Sequence, residues 1–221
     1  MTQFDLIIFD CDGVLVDSEI ILCGVYADYF TSAGFPHTAA EVSEKYLGVS
    51  DETTVAMLAA EGMMLPATFS DDIQYRGKVA LASDLEPISG IREALHRLNR
   101  PMCVASSGDH VTITRSLTTT GLLELFSPNL FSASQVENGK PAPDLFLFAA
   151  ECMDTTPEHA LVIEDSPAGV QGGVAAGMTV VGFTGGSHIQ PGHGDTLLNV
   201  GAHHILDDMA ILPDLLEALS E

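Results

Sequence analysis

Positively charged residues are scarce in this sequence of 221 residues. It contains 8 Lys and Arg residues against 31 Asp and Glu residues, which gives a formal net charge of −23. Proteins that bind nucleic acids or anionic membranes need clustered Lys and Arg to neutralise phosphate groups. The shortage of cations therefore excludes both kinds of partner. A small anion needs only one local cationic site, so the sequence is still compatible with binding such a ligand.

Cysteines and long apolar runs are also few. The four cysteines are scattered without a C-x-x-C pair, so their spacing indicates neither a disulfide scaffold nor a structural zinc site. No uncharged apolar run reaches the roughly 18 residues that a membrane-spanning helix needs. The first ten residues contain no basic segment of the kind that begins a signal peptide. These absences predict a cytoplasmic protein with reduced thiols and no membrane partner.

Hydrophobic residues are plentiful, at 46% of the chain, and this content excludes an acidic disordered protein. Short apolar runs that end in polar turn residues are typical of strands buried in a parallel sheet. Helix-like stretches separate these runs, which indicates an open α/β fold. The predicted strands are 6–9, 102–105, 160–163 and 179–183, with a last one around Ile205, and the predicted helices are 90–99, 110–120, 144–153 and 168–177.

One region interrupts the alternation of strands and helices. From about residue 20 to residue 85 the sequence has helical periodicity and no strong buried-strand run, which indicates an inserted all-α cap subdomain. The predicted domains are a helical cap of residues 18–86 and a Rossmann-like parallel-sheet core of residues 1–17 and 87–221. We expect hinges near Asp17 and Pro87, about which the cap closes and excludes bulk water from a substrate.

Polar side chains follow three of the predicted strands. They are Asp10 and Asp12 after the first, Ser106 and Ser107 after the second, and Glu164 and Asp165 after the third. Ligands of an open parallel sheet bind beyond the carboxyl ends of its strands, so we expect these side chains to lie close together. Converging carboxylates repel one another unless a cation is present, and a set of oxygen ligands favours Mg²⁺. Mg²⁺, Ser106 and Lys140 together would bind the oxygen atoms of a substrate phosphate.

The spacing of the first two carboxylates suggests separate roles. Asp10 ends the first strand and faces the crevice, where its carboxylate can attack an electrophile. Asp12 lies on the same side if the backbone stays extended, and it can transfer a proton to or from a leaving oxygen. A carboxylate nucleophile with Mg²⁺, Lys140 and a hydroxyl donor is suited to phosphoryl transfer through an aspartyl-phosphate.

Four segments resemble, in order, the motifs of the haloacid dehalogenase (HAD) superfamily of phosphohydrolases. They are FDCDGVLVDSE from Phe9, VASSG from Val104, KPAP from Lys140 and IEDS from Ile163. The helical insert resembles the C1 cap of the group that includes β-phosphoglucomutase, phosphoglycolate phosphatase and 6-phosphogluconate phosphatase. The resemblance covers nearly the whole chain, and four ordered motifs are far more specific than one D-x-D pair.

The resemblance implies a role for each carboxylate. Asp10 would be the nucleophile and Asp12 the general acid and base. Asp10, the main-chain carbonyl of Asp12, and Asp165 would bind Mg²⁺. Glu164 would lie beside them, as a direct ligand or as one that acts through water.

The resemblance also implies a phosphate site and an activity. Ser106 and the backbone N–H of Ser107 would bind phosphoryl oxygens, and Lys140 would bridge the phosphate and the nucleophile. The expected activity is Mg²⁺-dependent hydrolysis of a small phosphorylated metabolite, a sugar or sugar-acid phosphate, by a monomeric enzyme. One alternative is a sugar phosphomutase with the same core, and a less favoured alternative is a non-catalytic metabolite-binding protein on this fold.

Two departures from the mutases of this group favour hydrolysis. Those mutases carry a cap His where this chain has Leu22, and an Arg where this chain has Asp51 after Gly48-Val49-Ser50. Without these cations a second phosphate would lose its anchor, and a bisphosphate cycle needs that anchor. Among the other basic residues, Arg76 and Lys78 are candidate cap cations for a substrate carboxylate or phosphate.

Two histidines, His188 and His193, lie in a Gly-rich stretch after the strand predicted over 179–183. One interpretation is a second metal site at these histidines. The composition of the stretch favours solvated loop histidines instead.

Overall fold

The computed structural model describes residues 4–46, 49 and 51–219 of the chain. The chain divides into two compact units, which we call the core unit, Met1–Asp17 with Glu86–Glu221, and the helical unit, Ser18–Leu85. The domain boundary expected between residues 86 and 87 falls one residue earlier in this division. Gly48 and Ser50 of the Gly-Val-Ser segment lie outside the described residues.

A six-stranded parallel sheet forms the centre of the core unit. Its strands are β1 Leu6–Phe9, β2 Met102–Ser106, β3 Leu130–Ser132, β4 Ala160–Glu164, β5 Thr179–Phe183 and β6 His204–Leu206. Every neighbouring pair is parallel, and the spatial order is β3-β2-β1-β4-β5-β6. The predicted Rossmann-like α/β fold is therefore confirmed. The strand β3, with three residues, was not predicted.

The described residues of the helical unit form four α-helices. They are α1 Ser18–Ser32, α2 Ala39–Tyr46, α3 Asp51–Ala60 and α4 Phe69–Asp84. Aromatic rings fill the interior of this unit: Phe30 lies with its ring centroid 5.9 Å from Tyr26, 5.6 Å from Tyr46 and 6.0 Å from Phe69. Such ring pairs stabilise a core beyond the area that they bury. The all-α character predicted for this region is confirmed.

In the part of the core unit that the structure describes, seven further α-helices pack. They are α5 Ile91–Arg97, α6 His110–Thr119, α7 Leu123–Phe126, α8 Asp144–Cys152, α9 Pro167–Ala175, α10 His193–Asn199 and α11 Leu212–Ala218. The strands that they cover are apolar on both faces, as expected for a parallel sheet with helices on either side. None of the helices in the described residues is long and apolar enough to cross a membrane.

The order of the strands places one crevice at the carboxyl end of the sheet. Strand β1 lies between β2 and β4, so that Phe9 is aligned with Val104 on one side and Ile163 on the other. The chain winds outward in opposite directions from β1 and β4, which makes the gap between them the topological switch point of the sheet. Residues that follow β1, β2 and β4 therefore meet at one edge.

Candidate active site

Asp10 follows β1 directly and lies at this switch point. Its backbone N–H donates a hydrogen bond to the carbonyl of Ile163, at 3.0 Å, which ties the end of β1 to β4. The chain then turns at Gly13, whose φ of +78° favours glycine. A Cβ atom on Gly13 would lie 1.9 Å from Oδ2 of Asp165. Glycine at this position therefore provides the turn and leaves space for the Asp165 carboxylate.

Lys140 connects the ends of three strands. Its Nζ donates to Oδ1 of Asp10 at 2.5 Å, to Oε1 of Glu164 at 2.7 Å, and to the carbonyl of Ala105 at 3.0 Å. These three acceptors match the three N–H donors of an ammonium group. The side chain is 4% exposed, and Nζ lies 5.1 Å from the ring centroid of Phe146. The ammonium is thus held in one position, against the end of β1.

Three buried carboxylates surround this position. Asp10, Glu164 and Asp165 each offer an oxygen atom that lies within 4.8 Å of the oxygen atoms of the other two. Three carboxylates against one ammonium leave an excess of buried negative charge, which is costly without a further cation. Carboxylate oxygens are ligands of hard divalent cations, so the donor set fits such an ion. The carboxylate of Asp12, half-buried, is not part of this cluster in the described residues.

The electrostatics of the cluster favour the binding of a cation. Burial raises the pKa of Asp10 well above its usual range, the Lys140 charge lowers it, and the charges of Glu164 and Asp165 raise it further. Burial by itself lowers the pKa of Lys140, but the charges of Asp10 and Glu164 and their hydrogen bonds raise it above its usual range. A divalent cation beside these groups would favour the ionised form of Asp10.

Glu164 is held by donors on both of its oxygens. Oε1 accepts from Lys140, and Oε2 accepts from the backbone N–H and the hydroxyl of Ser166, at 2.7 and 2.9 Å. A Cβ atom on Gly169 would lie 1.6 Å from Oε1, so the first turn of α9 leaves space for the carboxylate only because this residue is glycine. The local structure therefore fixes Glu164 as a partner of Lys140.

The two predicted phosphate-binding serines lie at the carboxyl end of β2, the strand that contains Ala105, the third acceptor of Lys140. Ser106, the last residue of β2, is buried, and its Oγ accepts from the backbone N–H of Gly108 at 3.0 Å. Ser107 is exposed to solvent. Because Ala105 accepts a hydrogen bond from Lys140, both serines lie at the same edge of the sheet as the acidic cluster.

Sequence reasoning missed the contacts that the two loop histidines make with Asp165. His188 is 4% exposed, with Nε2 3.1 Å from Oδ2 of Asp165. His193 is partly buried, and its Nε2–H donates to the backbone carbonyl of Asp165 at 2.6 Å. The expectation of a solvated histidine is therefore wrong for His188, whereas His193 keeps part of its surface exposed. The available signal was their place after β5, the strand that lies next to β4 in the sheet.

Comparisons with known proteins agree with this geometry. Residues 7–183 match the family described as haloacid dehalogenase-like hydrolase. A 6-phosphogluconate phosphatase from Escherichia coli is 34% identical over 194 residues, which cover 86% of this chain and 87% of the relative.

Two crystal structures are similar over nearly the full length. A haloacid dehalogenase-like protein of unknown function from Agrobacterium tumefaciens is 38% identical with a TM-score of 0.94, covering 99% of this chain and 100% of that one. A HAD family hydrolase from Deinococcus radiodurans, with bound phosphate and sodium, is 32% identical with a TM-score of 0.90, covering 99% and 97%. The chain belongs to the haloacid dehalogenase-like hydrolase family.

Proposed function

We propose that this protein is a Mg²⁺-dependent phosphatase that hydrolyses a small phosphorylated metabolite through an aspartyl-phosphate on Asp10. The observation that carries the proposal is the buried contact of 2.5 Å between Asp10 and Lys140, beside the carboxylates of Glu164 and Asp165. Two relatives support it: one is named as a phosphatase, and one was crystallised with phosphate.

Asp10 acts as the nucleophile in this proposal. Lys140 holds Oδ1, which restricts the carboxylate and leaves Oδ2 to attack phosphorus. The bond from Oδ2 to phosphorus forms as the bond from phosphorus to the alcohol oxygen breaks, and Asp12 donates a proton to that oxygen. Asp12 then accepts a proton from a water molecule that attacks phosphorus. Inorganic phosphate leaves, and the carboxylate of Asp10 is restored.

The acidic cluster is proposed to hold Mg²⁺. Asp10, Asp165 and the main-chain carbonyl of Asp12 would be its protein ligands. Glu164 already accepts hydrogen bonds on both oxygens, so we assign to it the positioning of Lys140 and no direct metal contact. When bound, Mg²⁺ supplies positive charge that stabilises the transferring phosphoryl group.

Ser106, Ser107 and Lys140 are proposed to bind the phosphoryl oxygens. Because Oγ of Ser106 accepts from Gly108, its own O–H can be donated to an oxygen of the substrate. The backbone N–H of Ser107 and the ammonium of Lys140 would add two further donors. Donors fixed before the reaction stabilise charge that develops on a transferring group.

The helical unit contains a pocket of its own. It has a volume of about 180 Å³ and is lined by Glu19, Tyr26, Tyr46 and four smaller side chains. The hydroxyl of Tyr46 is buried and has no hydrogen-bond partner in the described part of the structure. A buried hydroxyl without a partner costs about 1–3 kcal/mol, which a ligand with hydroxyl groups would recover.

This pocket lacks a cation for an acidic ligand. None of the described residues that line it is Lys or Arg, whereas Glu19 contributes a carboxylate. The guanidinium of Arg76, a candidate cation in the sequence, lies over the ring of Tyr29 at 4.9 Å. We therefore propose that the pocket takes an uncharged group with hydroxyls.

Phosphate release should depend on the metal. We expect a screen of phosphosugars, phosphopolyols, phosphoglycolate and 6-phosphogluconate to give free phosphate with Mg²⁺. A chelator should reduce the rate at least about 100-fold, because the charged cluster then lacks its cation. Added Mg²⁺ should restore the rate. Hydrolysis that is unaffected by chelation would contradict the proposal, and so would conversion of a phosphosugar to an isomer without release of phosphate.

A further inference from the structure

The segment between β5 and α10 packs against the acidic cluster. Two glycines leave space for the ring of His188 at this point. A Cβ atom would lie 2.8 Å from Cε1 of His188 if added to Gly186, and 3.0 Å from the same atom if added to Gly13. Both distances are shorter than ordinary van der Waals contact, so a larger residue at either position would displace the ring. The sequence thus provides a site of defined shape for this imidazole.

This segment is anchored on both sides of His188. Ser187 donates from its backbone N–H to Oδ1 of Asp17 at 3.2 Å, and from its hydroxyl to Oδ2 of the same residue. His193 donates to the backbone carbonyl of Asp165. Two histidines of this one segment therefore contact Asp165: His193 contacts its main chain, and His188 contacts its side chain.

We propose that His188 is a positioning residue for the metal site. Its Nε2–H donates to Oδ2 of Asp165, which sets the rotation of the carboxylate and leaves Oδ1 for the cation. A carboxylate that is already oriented loses less side-chain entropy when the cation binds. This inference rests on one part of the proposed function, the assignment of Asp165 to the metal.

A role in packing alone would not require a histidine. The ring is enclosed, and a buried polar ring is unfavourable unless it forms hydrogen bonds. An apolar side chain of similar size would fill the same space without that cost. The contact of 3.1 Å with Asp165 gives the polar ring a specific partner, and that partner belongs to the acidic cluster.

Titration of Mg²⁺ alone into the metal-free protein, followed by calorimetry, tests this role without turnover. For His188→Ala we expect the dissociation constant to rise about 10–100-fold, the usual effect of losing a hydrogen bond to a metal ligand. His188→Gln keeps an N–H near the position of Nε2 and should stay within about threefold of the parent. His159→Ala is the matched control, since His159 lies 4.0 Å from Asp5 on the surface.

The kinetics should show that the substitution weakens Mg²⁺ binding and leaves the chemical step intact. At saturating Mg²⁺, His188→Ala should recover a kcat within about threefold of the parent, because the nucleophile and its lysine are intact. If the Ala variant does not fold, His188→Asn replaces it. The Asn side chain is too short to reach Asp165, so the Asn variant should bind Mg²⁺ more weakly than the Gln variant.

Equal Mg²⁺ affinity in the parent and the Ala or Asn variant would overturn the inference, as would a parent that binds no Mg²⁺. Equal weakening in the Gln and Ala variants would also overturn it. Absence of phosphate release in a parent whose Mg²⁺ affinity depends on His188 would instead contradict the proposed function and leave the inference standing.

Discussion

Asp10→Asn is expected to abolish phosphate release, with a loss of at least about 10⁴-fold in kcat. The amide oxygen of Asn is a poor nucleophile, so the variant cannot form the aspartyl-phosphate through which both half-reactions are proposed to pass. The remaining groups, Lys140 and Ser106 among them, would still bind phosphate. The loss should therefore fall on kcat, with a smaller effect on KM.

The same variant should stay folded. Asp10, Glu164 and Asp165 place three buried carboxylates beside the single ammonium of Lys140, so the metal-free cluster has an excess of negative charge. An amide of nearly the same shape removes that charge, and urea unfolding of the metal-free variant should show no loss of stability. Asp5→Asn is the matched control, because the Asp5 side chain is 60% exposed, and it should retain full activity.

Two results would contradict the assignment of Asp10. One is substantial Mg²⁺-dependent phosphate release by Asp10→Asn. The other is the absence of phosphorylated Asp10 when the parent enzyme is quenched in acid during turnover and its peptides are measured by mass spectrometry.

Lys140→Met should reduce both stability and activity. Met fills much of the same volume, but it leaves Asp10 and Glu164 as buried carboxylates without their ammonium partner. Removal of one partner from a buried ion pair costs about 3–5 kcal/mol. Loss of a fixed donor to the transferring phosphoryl group should lower kcat about 10²–10³-fold. Mg²⁺ should offset part of the loss of stability, because it supplies positive charge to the same cluster.

Urea unfolding with and without Mg²⁺ measures the first effect, and phosphate release measures the second. Lys78→Met is the matched control, since Lys78 is exposed on α4, and its stability should change by less than about 0.5 kcal/mol. If Lys140→Met does not fold, Lys140→Gln retains a donor and tests the activity. A Lys140 variant as stable and active as the parent would show that the ammonium is not needed by the cluster.

The residues that follow buried strands could be predicted from the sequence. Asp10 and Glu164 stand directly after apolar runs, Asp165 follows Glu164, and the carboxyl ends of parallel strands share one edge. Lys140 was predictable through the motif in which it stands, although no periodicity indicates it. The order of the strands, which places β1 beside β4, could not be predicted in this way, because it depends on contacts between distant parts of the chain.

Other features could not be read from local patterns. The third acceptor of Lys140 is the carbonyl of Ala105, and a backbone group carries no residue-specific signal. The question of Glu164 as a metal ligand was left open by the sequence. The donors on its two oxygens, from Lys140 and Ser166, provide the reason to propose a positioning role.

The sequence by itself determined the fold class, the helical insert and the candidate catalytic carboxylates, because apolar periodicity and strand-end residues are local properties of the chain. Only the tertiary structure decided which loops meet around those carboxylates. His188 looks like an ordinary loop histidine in a Gly-rich stretch, yet it is buried against Asp165. Its burial depends on the adjacency of β5 and β4 and on the space left by Gly13 and Gly186, and these are long-range contacts that no local pattern records.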